Sequence, residues 1–235
     1  MIELYYAPTP NGWKISIMLE ELGLPYEVFP VNIREGDQFK PEFLAISPNN
    51  RIPAIIDRAP ADGGAPIPIF ETGAILIYLA EKTGKFLPAK SDKLRGEMLS
   101  WLMFVASGVG PYSGQSVHFR NYAPEKIDYA INRYAFEAQR HFGILDARLA
   151  KQKYMVGDSY TIVDMDVWGW ARLVPNVLGE QHAAKFPNLK RLVDEISARP
   201  AAKIAAGLKD RHAFKTEMDD AARAAMFGHL KERVA

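Results

Sequence analysis

Residues 51–84 read RIPAIIDRAPADGGAPIPIFETGAILIYLAEKTG and contain three predicted elements in a row. Two short apolar runs, PAIID and PIPIF, flank the turn-rich link APADGGAP, which is typical of a hairpin between two strands. The residues that follow, ETGAILIYLAEKTG, have the apolar spacing of an amphipathic helix that ends at Gly84. A strand pair that leads directly into a helix indicates part of a small α/β layer.

The residues before this stretch predict the other half of the layer. IELYYA (2–7) is predicted as a buried strand, residues 12–22 as a helix that ends at Gly23, and YEVFPVN (26–32) as a second strand. A short helix is predicted over 41–46, because proline is favoured in the first turn of a helix. The predicted order is therefore β-α-β-α-β-β-α, that of an α/β domain with a mixed sheet.

After residue 86 the pattern changes to helices alone. Residues 94–119 predict a helix that is interrupted around 108–111, and residues 125–150 predict a long amphipathic helix. Thr161-Ile-Val-Asp164 has the spacing of a capping box, in which the threonine and the acidic side chain satisfy each other's backbone N–H groups.

Three regions follow from this change of pattern. We predict an α/β domain over residues 1–86, an all-helical domain over 93–202, and a tail over 203–235 that is helical or partly ordered.

Charge and apolar content limit the classes of protein. Lys and Arg total 29 against 28 Asp and Glu, so no net positive field attracts nucleic acid or an anionic membrane. The longest apolar runs are too short to span a bilayer, and MIELYY lacks the basic and apolar segments of a signal peptide. We therefore expect a cytoplasmic protein that binds neither nucleic acid nor membrane.

Several kinds of chemistry find no support in the sequence. The chain has no cysteine, so it has no disulfide, no thiolate metal ligand and no thiol nucleophile of its own. The phosphate-binding glycine motifs and HExxH are absent, and the 5 histidines lack metal-ligand spacing, so no metal site is predicted. A Ser-His-Asp triad stays open, although no nucleophile elbow is present.

The turn YAPTPNGWK (6–14) joins the first predicted strand to the first helix. Thr9 offers a hydroxyl donor and Asn11 an amide donor close to a helix N-terminus, and such donors stabilise an anion. The alternative is that Pro8, Pro10 and Asn11 only form a capped turn.

Two further segments have the character of a binding site. If the Ile52–Pro53 bond is cis, the backbone of Ile52 is free to pair with an extended peptide; otherwise Pro53 is an ordinary edge proline. At a strand end, the hydroxyl of Thr72 with nearby backbone N–H groups suits a carboxylate, and Glu71 suits an ammonium. Together they fit an α-amino acid, unless Thr72 merely caps the helix and Glu71 is solvated.

Four segments in this order carry a family resemblance: APTPNGWK, QFKPEFLAISPNNRIPAI, ADGGAPIPIFETGAILIYLAEKTG and GPYSGQ. They resemble the cytosolic glutathione transferases, and more narrowly the bacterial nu-class members, which act as glutathione-dependent disulfide-bond oxidoreductases. The match covers roughly residues 1–200. The resemblance implies a thioredoxin-like N-terminal domain, a C-terminal helical bundle and a homodimer.

The resemblance also implies how glutathione would lie in the first domain. Thr72 and the start of its helix would hold the γ-glutamyl carboxylate, with Glu71 on the amine. Ile52 would pair its backbone with the cysteinyl unit beside Pro53, and Gln38 would reach the glycyl end. Many relatives carry serine where this chain has Thr72, and the hydroxyl is retained.

The reactive sulfur would belong to glutathione, because the chain has no thiol. Thr9 and Asn11 are favoured over Tyr5 and Tyr6 as its donors, since strand alternation sends one tyrosine into the core and neither lies in the turn. Arg133 on the long helix would pair with a carboxylate of a second glutathione.

The implied function is reduction of a small disulfide, with glutathione as co-substrate and a possible extension to electrophiles or organic peroxides. Two alternatives keep the same fold: a non-catalytic glutathione-binding or regulatory protein, and a glutathione-dependent isomerase or dehalogenase. No metal is implied.

Overall fold

The computed structural model describes residues 1–231. It divides into two compact units, one of Met1–Ile75 with Ile204–Ala235 and the other of Leu76–Lys203. Part of the predicted tail, residues 232–235, lies outside the described residues.

The first unit contains a four-stranded mixed sheet in the order β2-β1-β3-β4. β1 pairs in parallel with β2 and antiparallel with β3, and β3 pairs antiparallel with β4. The strand prediction is confirmed, with the bounds β1 Ile2–Tyr6, β2 Tyr26–Pro30, β3 Ala54–Asp57 and β4 Ile67–Phe70.

Three helices alternate with these strands in the predicted order: α1 Pro10–Leu22, α2 Pro41–Leu44 and α3 Thr72–Thr83. α1 begins two residues before the predicted start, with a proline as its first residue. It ends as predicted at Gly23, whose φ of 65° lies in the left-handed region that glycine adopts easily.

No strand follows β4 within the described part of the chain. The second unit is built from α4 Asp92–Phe104, α5 Gly110–Asn121, α6 Asp128–Leu149, α7 Ile162–Ala171, α8 Val174–Leu178 and α9 Pro187–Ser197, and α10 Pro200–Gly207 follows across the boundary between the units. The predicted all-helical second half is therefore confirmed.

The interruption predicted around residues 108–111 is a turn of π-helix, Val105–Val109, between α4 and α5. A Cβ atom at Gly108 would lie 3.1 Å from Nε2 of His141, so the glycine lets α6 approach closely at this bulge.

The tail begins with a 3₁₀ turn, Leu208–Asp210, and continues as a stretch without regular secondary structure to residue 219. It ends with α11 Asp220–Phe227 and a second 3₁₀ turn, Gly228–Lys231. The Asp219 carboxylate caps α11 by accepting the N–H of Ala222 at 2.7 Å.

Candidate active site

The register of the sheet brings three of the predicted site segments to one end of the first unit. Tyr5 of β1 lies opposite Ala54 of β3, and Ala54 lies opposite Phe70 of β4. The turn after β1, the Ile52–Pro53 peptide before β3 and the Glu71–Thr72 step after β4 therefore leave the sheet at the same end. The parallel partner of β1 ends there too, since Tyr6 lies opposite Pro30, and the chain beyond Pro30 leads to Gln38.

Thr9 is the N-cap of α1, at φ −119° and ψ 165°. Its Oγ accepts the N–H of Gly12 at 3.2 Å, and its carbonyl oxygen accepts the N–H of Trp13 at 3.0 Å. A hydroxyl that accepts a hydrogen bond from the helix keeps its own proton for donation to another group. The capped turn and the donor role are thus compatible in one residue.

Asn11 is the second residue of α1 and is half-buried. The first turn of α1 contains no acidic side chain. The positive end of the helix dipole is therefore not balanced by a carboxylate from its own first turn, which favours an anion at this position.

Gly12 explains why the turn is so tight. A Cβ atom at this position would lie 2.2 Å from the carbonyl oxygen of Ala7 and 2.9 Å from Cε2 of Tyr6. The buried Tyr6 ring thus packs directly behind the turn, and only glycine fits between the ring and the helix.

The two tyrosines of β1 point to opposite faces, as strand alternation predicts. Tyr6 is fully buried, whereas the ring of Tyr5 stacks on Phe29 with centroids 5.1 Å apart. The Tyr5 hydroxyl donates to Glu3 at 3.2 Å, and burial together with the Glu3 carboxylate raises the pKa of Tyr5. A raised pKa makes this phenol a weaker proton donor.

The Ile52–Pro53 peptide bond is cis. Pro53 is buried, and Ile52 is half-buried beside the cluster of Val31, Phe43 and Ala54. No backbone hydrogen bond joins the N–H or C=O of Ile52 to another of residues 1–231.

At the end of β4, Glu71 adopts a φ of 70°, which is uncommon for a residue with a side chain. Its carbonyl oxygen accepts the N–H of Ile75 at 3.0 Å, and Thr72 is the first residue of α3. The backbone of Glu71, one residue earlier, therefore takes the capping position that the alternative interpretation gave to Thr72. Strained backbone of this kind is often found at functional sites.

Gln38 lies in the 3₁₀ turn Asp37–Phe39 and is 5% exposed. Its Oε1 atom is buried and has no hydrogen-bond partner among residues 1–231. A buried amide oxygen without a partner is costly, so this atom is suited to receive a donor from a ligand.

Arg133 lies on α6 in the second unit, with its side chain 47% exposed. Its Nη1 donates to Glu137 at 2.8 Å, and Arg140 contacts the other carboxylate oxygen. Hydrogen bonds from Arg140 and Arg133 hold the pKa of Glu137 below its usual value. A role in binding would require Arg133 to exchange this partner for a ligand carboxylate.

One neighbour of the site could not be predicted from the sequence. Asn49 places its Nδ2 atom 3.4 Å from Oε1 of Glu71. The pair joins the loop before β3 to the start of α3, and no local pattern links two residues so far apart in the chain.

Two further properties concern the whole of residues 1–231. Helix lengths and hydropathy there provide no membrane-spanning segment. The same residues bring together no group of three His, Cys, Asp or Glu side chains that would hold a metal ion.

A mixed sheet in this order, entered by a cis-proline strand and followed by an all-helical unit, defines the class of proteins with a thioredoxin-like domain and a helical C-terminal domain. The chain belongs to the glutathione S-transferase family. The family model for the glutathione S-transferase N-terminal domain matches residues 1–81, and that for the C-terminal domain matches residues 108–200.

Comparison with individual proteins shows which members of the family the chain is similar to. The chain is 47% identical over 203 residues to the disulfide-bond oxidoreductase YfcG of Escherichia coli, covering 86% of this chain and 92% of that protein. A glutathione transferase family member from Pseudomonas fluorescens, crystallised with two glutathiones bound, is 43% identical, with a TM-score of 0.82 over 87% of this chain and 92% of the other. A glutathione transferase from Pseudomonas putida, with one glutathione disulfide bound per subunit, is 38% identical, with a TM-score of 0.83 over 88% and 91%.

Proposed function

We propose that the protein is a glutathione-dependent disulfide-bond reductase of the nu-class type, in which the thiolate of bound glutathione is the nucleophile. One observation carries the proposal: α1 has Thr9 as its N-cap, Asn11 as its second residue and no acidic residue in its first turn, in a chain without cysteine. The similarity to a disulfide-bond oxidoreductase and to structures that hold glutathione or its disulfide supports it.

In this proposal each segment at the common end of the sheet binds one part of glutathione. Thr72 and the N-terminus of α3 receive the γ-glutamyl carboxylate, and Glu71 receives the amine. The backbone of Ile52, beside Pro53, pairs with the cysteinyl unit, and the amide of Gln38 receives the glycyl end.

Thr9 and Asn11 act on the sulfur. A thiol with a pKa near 8.5 is only a few per cent ionised at about pH 7, and lowering the pKa by about two units needs roughly 2.7 kcal/mol of preferential thiolate stabilisation. One hydrogen bond to a charged group contributes about 1.5–3 kcal/mol. The Thr9 hydroxyl, the Asn11 amide and the helix dipole are together sufficient.

The reaction needs two glutathiones. The bound thiolate attacks one sulfur of the substrate disulfide, forms a mixed disulfide with it and releases the other sulfur as a thiolate that takes up a proton. A second glutathione thiolate attacks the glutathione sulfur of the mixed disulfide, which releases the second substrate thiol. The substrate gains two electrons, and two glutathiones become glutathione disulfide. Arg133 would hold a carboxylate of the second glutathione.

The proposal is tested by assaying reduction of a small disulfide by glutathione in wild type, Thr9→Ala and Asn11→Ala. Each substitution is expected to lower kcat by about a hundredfold, the lower end of the range for removal of one anion-stabilising donor. Ser100→Ala is the matched control, because it removes a hydroxyl that donates to the carbonyl oxygen of Gly96 on α4. Full activity in both site variants would remove their assigned roles.

Two further measurements, calorimetry of glutathione binding and assays with other substrates, distinguish the alternatives. Glutathione binding in calorimetry with every thiol reaction at background would identify a binding or regulatory protein. Turnover of an electrophile, a peroxide, or an isomerase or dehalogenase substrate in preference to disulfides would keep the thiolate mechanism and change the substrate.

We also propose that the protein is a homodimer in which the first domain of one subunit faces the helical domain of the other. Large apolar side chains are exposed in both units, with Met103 50%, Phe136 62% and Phe70 38% exposed. Apolar side chains that form a contiguous exposed patch commonly mark an interface, so these three are candidates for the proposed one. Sedimentation at the 26.3 kDa of a monomer would contradict the proposal.

A further inference from the structure

The C-terminal segment, residues 208–231, lies beyond the family model of the C-terminal domain, which ends at residue 200. It belongs to the same compact unit as the sheet. Its contacts include the loop that carries Gln38 and Tyr6, the residue behind the α1 turn.

The first group of contacts joins the irregular part of the segment, residues 211–219, to the start of the Gln38 loop. Nη1 of Arg34 donates to the carbonyl oxygens of Lys215 at 3.0 Å and of Thr216 at 2.5 Å. The N–H of Lys215 donates in turn to Oδ1 of Asn32 at 3.3 Å. Hydrogen bonds from a guanidinium are stronger than those between neutral groups, so Arg34 is the main link.

The second group lies on either side of Gln38. A Cβ atom at Gly36 would lie 3.9 Å from Cβ of Ala225 on α11. The ring of Phe39 meets the ring of His229 edge-on, with centroids 5.9 Å apart. Phe39, the residue after Gln38, thus contacts the C-terminal segment, and Gly36, two residues before Gln38, lies close to it.

A third contact reaches the turn at α1. The ring of Phe214 meets the buried ring of Tyr6 edge-on at 6.0 Å, and Tyr6 is the side chain that packs behind Gly12.

The loop depends on such support because it has little regular structure of its own. Between β2 and α2 it contains only the 3₁₀ turn Asp37–Phe39, with the Asp37 carboxylate accepting the N–H of Asn32 at 2.7 Å. A loop without a hydrogen-bonded ladder opens easily, and a ligand that orders it loses affinity. Anchors formed before the ligand arrives reduce that loss.

We propose that the C-terminal segment is a positioning element of the glutathione site, with Arg34 as the positioning residue that holds Gln38 ready for the glycyl end of the ligand. The inference rests on the proposed function and adds to it: affinity for the glycyl residue depends on a segment outside the family's two domains. The expected effect on affinity is selective, because only ligands that contain the glycyl residue bind more tightly when Gln38 is ordered.

The test compares Arg34→Met with wild type for two ligands, glutathione and γ-glutamylcysteine, which lacks the glycyl residue. Methionine keeps an apolar stem and removes the guanidinium. The Kd and KM for glutathione are expected to rise about tenfold, which corresponds to about 1.4 kcal/mol. The values for γ-glutamylcysteine and the kcat for disulfide reduction are expected to stay within about twofold, since the groups that face the sulfur are unchanged.

Two further variants make the result specific. Arg58→Met is the matched control, because it removes a guanidinium that pairs with Glu3 at 2.6 Å. This variant is expected to bind both ligands as wild type does. Arg34→Lys restores a cation and is expected to recover part of the affinity for glutathione. A melting temperature close to that of wild type shows that the variants are folded.

Equal loss of affinity for both ligands, or loss for neither, would overturn the inference, as would failure of both Arg34 variants to fold. If wild type binds glutathione and the Arg34 variants bind it equally well, only the inference fails. If wild type binds neither ligand in calorimetry, the proposed function fails and the inference with it.

Discussion

Two helices of this chain begin with a threonine N-cap, and they use it differently. At α7 the Oγ of Thr161 accepts the N–H of Val163 at 3.3 Å, and the Asp164 carboxylate accepts the N–H of Thr161 at 2.8 Å. At α1 the Oγ of Thr9 accepts the N–H of Gly12 at 3.2 Å, and no acidic residue follows in the first turn.

The capping residues of the two helices also differ in burial. Thr161 and Asp164 are both 0% exposed, whereas Thr9 is half-buried. At α7 the Asp164 carboxylate is the anion at the helix N-terminus, and both capping residues are buried. At α1 the first turn contains no such carboxylate, and the proposed function places the glutathione thiolate there. In the proposed function, an internal carboxylate marks the structural helix start at α7, and its absence marks the binding one at α1.

The largest expected effect is loss of stability in Asp164→Ala. This substitution removes the acceptor for the N–H groups of Met155 and Thr161, both at 2.8 Å, and for the Thr161 hydroxyl. Several donors are left buried without a partner, so we expect the free energy of unfolding to fall by about 3–5 kcal/mol in urea titrations. The kcat of the folded fraction should match wild type. A loss below about 1 kcal/mol would contradict the structural role of this cap.

The second effect is a pH dependence of stability that arises at the same residue. Burial raises the pKa of Asp164 from 3.8 to about 6, against the hydrogen bonds from Met155 and Thr161, which lower it. The folded protein then binds this proton more tightly than the unfolded chain, so its contribution is present below about pH 4 and is lost as pH rises to about 6.

The measurement is the difference in unfolding free energy between wild type and Asp164→Asn across that pH range. It should shrink as pH rises, by at most about 3 kcal/mol. A difference that grows with pH would show that the hydrogen bonds outweigh burial.

The third prediction contrasts the two threonines. Thr9→Ala and Thr161→Ala should each lose about 1–2 kcal/mol of stability, since each loses a cap. Only Thr9→Ala should also lose activity, by about a hundredfold in kcat/KM. Equal activity losses in the two variants, at matched folded fractions, would show that the two caps do not differ in function.

The smallest expected loss of activity is that of Gly12→Ala. The new Cβ would meet the Ala7 carbonyl oxygen and the Tyr6 ring, so the turn must widen, at a cost of about 1–3 kcal/mol in stability and about tenfold in activity. Gly96→Ala is the matched control: nothing lies within 4 Å of its Cβ position in α4, and alanine there should stabilise the helix by up to about 1 kcal/mol. A Gly12→Ala protein as active as wild type would show that the turn tolerates widening.

The sheet and the first helices were predictable because their signals are local. The apolar run IELYYA, the turn residues between PAIID and PIPIF, and Gly23 each determine a neighbouring conformation. The capping box at Thr161 was predictable for the same reason, since its partners are three residues apart.

The rest of the candidate site depends on contacts that no local pattern encodes. Arg34 reaches the carbonyl oxygens of residues 215 and 216, 181 and 182 positions away. The burial of Gln38 and the left-handed backbone of Glu71 likewise follow from packing across the unit. A tail rich in alanine and charge carries no signal of the surface on which it packs.

The central claim is that Thr9, Asn11 and the N-terminus of α1 hold the sulfur of bound glutathione as a thiolate. Its most direct test is a titration of the bound thiol by ultraviolet absorbance, in wild type and in Thr9→Val, which keeps the side-chain shape and removes the hydroxyl. We predict a pKa about two units below 8.5 in wild type and a return toward 8.5 in the variant. A wild-type pKa near 8.5, or one that Thr9→Val leaves unchanged, would contradict the account.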